Sequence, residues 1–192
     1  VLFNSDVKFK FDISSKEKEM NSLSQVIKIK SLKQIGMVVD DITNNMQRMW
    51  NFFGIGPWDV YEYKPGILQE VLYYGNPSKS GMKIAIAKLG NSEIELIEPL
   101  GQDNIYQDFL RKYGNGMQHL GWYIVDSESE FFNTIKSMEN VGFSCIWSGR
   151  SPRGRFAYFD TINVLNTLLE MAWFDQGAAV QPSYIYPESS ID

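Results

Sequence analysis

Four polar side chains interrupt otherwise apolar, strand-like segments of this 192-residue chain: Gln34, Glu95, His119 and Glu170. Together they form a donor set for a divalent cation. Two carboxylates balance a 2+ charge. An imidazole nitrogen and an amide oxygen complete four points, which leaves two positions open on an octahedral ion. Mostly oxygen donors favour Mn, Co, Fe(II), Mg or Zn over copper. Taken singly, each residue reads as readily as a hydrogen-bonded or ion-paired core group. An internal repeat is what joins them.

Gln34-Ile35-Gly36-Met37-Val38-Val39-Asp40-Asp41 matches His119-Leu120-Gly121-Trp122-Tyr123-Ile124-Val125-Asp126 at a constant offset of 85. Asn91-Ser92-Glu93-Ile94-Glu95-Leu96 matches Asn166-Thr167-Leu168-Leu169-Glu170-Met171 at an offset of 75, so the middle of the second half is ten residues shorter. Gln34 therefore corresponds to His119, and Glu95 to Glu170. Side chains alternate along a strand, so Gln34, Gly36 and Val38 share one face and His119, Gly121 and Tyr123 the equivalent one. The opposite faces are apolar and suit packing on helices. If a pseudo-twofold axis relates the halves, all four polar groups converge on one cavity.

Each matched strand runs into a helix. Ile42, Met46, Met49, Trp50 and Phe53 recur at helical spacing, as do Phe131, Phe132, Ile135 and Met138. Asp41 and Asp126 are the expected N-caps, with capping-box spacing from Ser127 to Glu130, and Gly54 and Gly142 are the expected stops. Strand-like segments follow at Trp58–Tyr63, Leu68–Tyr74 with Met82–Leu89 beyond it, and Glu93–Glu98. The second half has Phe143–Ser148, Arg155–Asp160 and Thr167–Phe174. A linking helix, Ile105–Tyr113, is expected to start on Asp103 and stop at Gly114. The expected fold class is α+β: two paired βαβββ modules forming a curved mixed sheet around a central cavity. One domain spans residues 31–175, with module one at 31–101, the linker helix region at 102–115 and module two at 116–175. An N-terminal extension, 1–30, carries a strand-like alternation at Val7, Phe9, Phe11 and Ile13. A C-terminal tail, 176–192, has weak periodicity and is expected to wrap the surface.

Composition narrows the function. One cysteine, Cys145, excludes an intrachain disulfide, and with one histidine it excludes a zinc finger. A single histidine also excludes a two-His-one-carboxylate iron site within one chain. The net charge of −5 lacks the basic excess of a general nucleic-acid binder. No apolar run reaches membrane-spanning length, and Val1 to Lys30 holds no uninterrupted apolar stretch resembling a signal peptide. The expectation is a soluble cytoplasmic protein. Strand aromatics (Tyr61, Tyr63, Tyr73, Tyr74, Tyr123, Trp147 and Tyr158) are candidates for sheet packing or for cavity walls. Arg150, Arg153 and Arg155 crowd one loop, which reads either as a solvated hairpin or as a binder of carboxylate or phosphate. Cys145 reads as a buried thiol without catalytic function.

Three stretches carry a family resemblance: Lys88-Leu89-Gly90-Asn91 running into Ile94-Glu95-Leu96-Ile97-Glu98-Pro99-Leu100-Gly101; Asp108-Phe109-Leu110 before Gly116-Met117-Gln118-His119-Leu120; and Leu168-Leu169-Glu170-Met171. These resemble the vicinal oxygen chelate (glyoxalase/bleomycin resistance/dioxygenase) superfamily, and most of all its methylmalonyl-CoA epimerase-like members. The resemblance covers about Leu32 to Trp173. It implies a glyoxalase-like fold and a divalent metal held by Gln34, Glu95, His119 and Glu170. It implies an isomerase, epimerase or glyoxalase-type lyase acting on a carbonyl or acyl-CoA thioester substrate, with proton abstraction by Glu170 or Glu95 through a metal-stabilised enolate. Tyr123, Arg150, Arg153 and Arg155 are the candidate substrate-binding residues, and a homodimer is a common arrangement in the family. Gln34 departs from the first His usual there, and Gln118 replaces a His that often precedes the ligand His. A catalytic carboxylate proposed for an epimerase falls near Lys83, which leaves the second acid/base unassigned. The alternative is a metal-free small-molecule-binding protein of the same fold. A ring-cleaving dioxygenase needs a second histidine and is disfavoured.

Overall fold

Residues 25–29, 31–122, 125–177 and 180–188 are described by the computed structural model. The N-terminal alternation at Val7–Ile13 lies outside the described residues.

Each half begins with a short strand whose residues face two ways. In β1 (Gln34–Val38), Gln34, Gly36 and Val38 are buried, while Ile35 and Met37 are partly covered by the helix side. Asp41 then caps α1 (Ile42–Phe53), accepting the Asn44 N–H at 2.9 Å. Gly54 closes that helix at φ 64°, a left-handed conformation that costs glycine least. Ile42 and Met46 bury against Val39, Trp58, Val60 and Leu96. In the second half, β7 (Gly116–Trp122) leads to α3 (Glu128–Asn140). Its N-cap is Ser127, not the expected Asp126. The Ser127 hydroxyl accepts the Glu130 N–H, while the Glu130 carboxylate turns back to the Asp126 N–H at 2.9 Å. Val141 is the C-cap, and Gly142 follows it at φ 95°. The linking helix α2 (Ile105–Tyr113) is capped by Asn104, whose Oδ1 accepts the Gln107 N–H at 2.8 Å. The expected cap, Asp103, instead takes the preceding left-handed turn at φ 56°. A four-residue helix that the sequence pattern did not indicate, α4 (Ile162–Leu165), precedes the last strand of the second half.

The other strands are β2 (Trp58–Tyr63), β3 (Gln69–Tyr73), β4 (Asn76–Pro77), β5 (Gly81–Leu89), β6 (Ser92–Leu100), β8 (Cys145–Ser151), β9 (Gly154–Phe159), β10 (Leu168–Phe174) and β11 (Tyr184–Tyr186). Among the described residues they form one 11-stranded sheet in the order β11-β2-β5-β6-β1-β7-β10-β9-β8-β3-β4. Its centre is symmetric. β1 lies parallel to β6, β7 lies parallel to β10, and β1 and β7 meet antiparallel. The two paired βαβββ modules of the fold expectation are present, and they join through their first strands. Helices α1 and α3 cover the outer faces. The inner face holds the third core, built around Tyr63, Ile84, Ile97, Tyr106, Trp147 and Tyr158.

The extra length of the first half has a structural meaning. β3 does not join β2 or β5. It crosses to the far edge and pairs with β8 of the other half, Tyr73 opposite Trp147. The third strand of module one is β5. The tail also does more than wrap: β11 pairs with β2, Tyr184 opposite Val60. No helix among the described residues is long and apolar enough to cross a membrane.

Candidate metal centre

Register at the sheet centre places the four candidate donors in two mirrored rows. Gly36 lies between Glu95 of β6 and His119 of β7. Gly121 lies between Gln34 of β1 and Glu170 of β10. Each row has a glycine at its middle because the neighbouring side chain lies across it. A Cβ on Gly36 would stand 1.8 Å from His119 Cε1, and one on Gly121 would stand 2.9 Å from Gln34 Oε1 and 3.1 Å from Glu170 Oε2.

All four residues are buried, none more than 8% exposed. His119 Nε2 lies 3.5 Å from Glu95 Oε2 and 3.5 Å from Glu170 Oε2. That is long for a charge-assisted N–H···O bond, which sits at about 2.7–2.9 Å. It suits two donors on one ion: ligand atoms about 2.1 Å from a metal and tetrahedrally disposed are about 3.4 Å apart. Glu95 Oε2, His119 Nε2 and Glu170 Oε2 also lack hydrogen-bond partners despite full burial. An orphaned buried polar atom costs about 1–3 kcal/mol, more when charged. A cation at their common focus removes all three penalties at once, so the residues fit a divalent metal.

A bulge in β7 sets the histidine. Gly36 pairs with His119 but Met37 pairs with Met117, which leaves Gln118 as the extra residue. Alternation is broken, and the adjacent Gln118 and His119 are both buried. Gln118 Nε2 donates to the Ile105 carbonyl at 3.1 Å. Its Oε1 must then face His119 Nδ1, 3.1 Å away, as acceptor. Nδ1 carries a proton, and Nε2 turns toward the two carboxylates. Burial disfavours a charged imidazole, but the Glu170 and Glu95 carboxylates 3.5 Å away outweigh it and lift the His119 pKa to about 9. Burial also raises the Glu95 carboxyl above the usual carboxylate range.

The site opens on a cavity of about 60 Å³. Gln34, Glu95 and Glu170 line it together with Tyr63, Tyr106 and Tyr158. The Tyr158 ring stands edge-to-face against His119 at 4.9 Å, and Tyr106 Oη donates to Tyr158 Oη at 3.0 Å. Sequence reasoning missed Tyr106. Its only signal was a position on the apolar side of α2, which any core tyrosine would share.

The other candidates separate. Arg150 pairs with Glu128 at 3.1 Å and Asp175 at 3.7 Å, and Arg155 pairs with Glu70 and Glu128. Of the three, Arg153 and Arg155 line the cavity, and Arg155 is held by its two carboxylates. Tyr123 lies outside the described residues. Lys83 sits between Met82 and Ile84, which face the cavity, and so points to the helix side, where it meets Glu98 at 3.9 Å. It is no part of the site.

The family model that matches residues 33–159 is that of the glyoxalase/bleomycin resistance protein/dioxygenase superfamily. No curated protein matches the sequence. Among solved structures, a hypothetical protein from Bacillus halodurans is similar at 22% identity, with a TM-score of 0.54, covering 78% of this chain and 98% of its own. Methylmalonyl-CoA epimerase from Mycobacterium tuberculosis is similar at 16% identity, with a TM-score of 0.55, covering 80% and 93%. A Streptomyces coelicolor methylmalonyl-CoA epimerase variant in complex with 2-nitronate-propionyl-CoA is similar at 16% identity, with a TM-score of 0.53, covering 76% and 97%. At these identities the likeness is one of fold.

Proposed function

The chain belongs to the glyoxalase/bleomycin resistance protein/dioxygenase superfamily, and from that premise we propose that it is a metal-dependent isomerase, epimerase or lyase that moves a proton beside a substrate carbonyl. One observation carries the reading: three buried, unpartnered donor atoms from Glu95, His119 and Glu170 face one another within 4.8 Å. These three residues would hold a divalent ion, with the Gln34 amide oxygen as a fourth donor. Such an ion supplies positive charge to a carbonyl oxygen on which negative charge develops.

The protein supplies the rest. Glu95 and Glu170 come from opposite sides of the pseudo-twofold axis and flank the cavity. Either carboxylate is placed to act as the base. With Lys83 turned away, proton removal and return both fall to these two carboxylates. The aromatic side chains of the lining, Tyr63, Tyr106 and Tyr158 among them, leave less room for competing water beside the donors. The small cavity admits the reacting head of a substrate, such as the carbonyl and adjacent carbon of an acyl thioester, and leaves a larger remainder outside.

Metal analysis of protein purified without chelator tests the reading. About one equivalent is expected, or uptake of one on adding Mn, Co or Zn, and Glu170→Ala should abolish it. Less than about a tenth of an equivalent under both conditions rejects a metal enzyme. Deuterium incorporation from heavy water into the carbon next to the carbonyl of acyl thioesters then tests the chemistry.

One observation favours a second reading, a metal-free binding protein. His119, protonated up to about pH 9, can neutralise much of the carboxylate pair without any ion. Ligand affinity unaffected by chelation would support that reading.

A further inference from the structure

Helix α2 separates the central cavity from a second, larger space. Tyr106 lines the cavity, while Ile105, Asp108, Phe109 and Lys112 line a groove between α2 and α4. The groove holds about 810 Å³, within the range of about 300–1,000 Å³ that small-molecule sites occupy. The residues that support His119 from behind border it. Gln118 Nε2 donates to the Ile105 carbonyl and its Oε1 faces His119 Nδ1, at 3.1 Å each. Thr167 Oγ1 donates to the Gln118 carbonyl at 2.8 Å, and Leu168 pairs with His119 in the sheet. Ile105, Gln118, Thr167 and Leu168 all belong to the groove lining. A molecule seated there would touch the side chain that sets the imidazole.

The groove carries open charges of both signs. Asp108 is already satisfied by the Tyr73 hydroxyl and Arg111. Among the described residues, neither Lys112 nor Asp160 has an opposite charge within ion-pair distance. Lys112 Nζ lies over the Tyr113 ring, 4.9 Å from its centroid, and Asp160 Oδ1 accepts the Ile162 N–H at 3.3 Å. Burial raises the Tyr74 phenol, Asp108 and Asp160 add to the rise and Lys112 opposes it, so these charges bear on one hydroxyl of the groove. A ligand with a single charge is attracted by one of Lys112 and Asp160 and repelled by the other. A zwitterion is attracted by both. Much of the wall is apolar: Phe109, Ile146 and Leu168, with the exposed rings of Tyr74 and Tyr113.

We propose that this groove is a regulatory site for a free amino acid with an aromatic or large aliphatic side chain, acting on His119 through Gln118. The ammonium group meets Asp160, the carboxylate meets Lys112, and the side chain lies on the apolar wall. Occupancy shifts Gln118 and with it the His119 ring. Linkage makes the effect mutual: whatever His119 holds changes in affinity by the same factor as the amino acid does.

Phenylalanine is the probe, measured by calorimetry on protein freed of metal by chelator and dialysis. Phenethylamine and 3-phenylpropionate, which each lack one charge, should bind about two- to fivefold more weakly. Glycine, which lacks the side chain, should bind at least about tenfold more weakly. Asp160→Asn and Lys112→Met, both at the surface, should each weaken phenylalanine about two- to fivefold. Lys112→Met should leave phenethylamine no weaker, and Asp160→Asn should leave 3-phenylpropionate no weaker. The effect on the imidazole has its own readout. The chain has one histidine, so two-bond nitrogen–proton spectra of the ring report His119 alone. Phenylalanine should move the Nδ1 signal, and Gln118→Leu should abolish that movement while phenylalanine still binds. Absence of binding overturns the proposal, as does binding indifferent to both charge substitutions or binding that leaves the His119 signals unmoved. A dimer that Met117→Glu dissociates in sedimentation would place a second copy in the groove and overturns it too. None of these readings needs a metal, so a protein that takes up no manganese rejects the metal enzyme alone.

Discussion

The imidazole of His119 occupies the space into which a side chain at Gly36 would grow. A Cβ there would stand 1.8 Å from Cε1, 2.0 Å from Nε2 and 2.4 Å from Nδ1. Gly121 bears the same relation to Gln34 less tightly, at 2.9 Å. The glycine two residues after each donor thus makes room for the donor of the opposite half. Gly36→Ala should displace the ring, abolish metal uptake and destabilise the protein by about 1–3 kcal/mol, the usual cost of overpacking. For a chain of this size that is a melting temperature lower by about 2–4 °C per kcal/mol. Gly121→Ala should do less on both counts. Thermal melts with metal stoichiometry check the order, and a Gly36→Ala protein that takes up metal like its parent would contradict it.

Gln118 touches none of the carboxylates, yet it fixes which nitrogen of His119 faces them. Gln118→Leu removes the acceptor from Nδ1 and frees the ring to rotate or change tautomer. Metal affinity should fall about 10–100-fold, the range for outer partners of metal-binding histidines. Competition with a chromophoric chelator measures this. An unchanged affinity would mean that ring packing against Tyr158 alone holds the imidazole.

The metal-free protein should lose stability as the solution becomes alkaline. Its His119 titrates near 9, against an ordinary value of 6.5. The folded state therefore holds this proton more tightly than the unfolded chain. The resulting stability is fully present below the unfolded value and is lost as pH rises through the folded one. Glu95, also raised, acts in the same direction. A loss on the order of 1–3 kcal/mol between about pH 6 and pH 10 is expected. Urea unfolding after chelator treatment reads it, and His119→Gln should flatten the profile. Metal binding displaces the Nε2 proton and should tighten over the same interval.

The convergence of the four polar residues and the two-module sheet were legible because a repeat at offset 85 ties Gln34 to His119 and its last strand ties Glu95 to Glu170. Alternation then placed each on the face away from its helix. Pairing partners were not legible. Gln69–Tyr73 has strand periodicity, but periodicity names no neighbour, and this strand lies against β8 across the sheet. The β7 bulge was hidden for a similar reason: an extra residue shows only against the partner strand. Asn104 and Asp103 offer the same capping chemistry one position apart, so the sequence could not choose between them. The three arginines were indistinguishable until Glu70, Glu128 and Asp175 were placed beside two of them. Lys83 was legible in type but not in direction.

Gln34 offers the sharpest test of the metal centre. It is the one donor at a position where the repeat has an imidazole on the other side, and Gly121 already leaves space above it. A neutral amide oxygen is a weaker donor to zinc or cobalt than an imidazole nitrogen. Gln34→His should therefore raise affinity for zinc and cobalt at least about tenfold, or about 1.4 kcal/mol, with little gain for magnesium. Gln34→Ala should lower affinity less than Glu170→Ala does, because it removes a dipole and not a charge. Titrations of the three variants against a competing chelator give the ranking. If Gln34→His and Gln34→Ala both bind as the parent does, the amide is only a cavity wall, and the centre is a three-donor site of Glu95, His119 and Glu170.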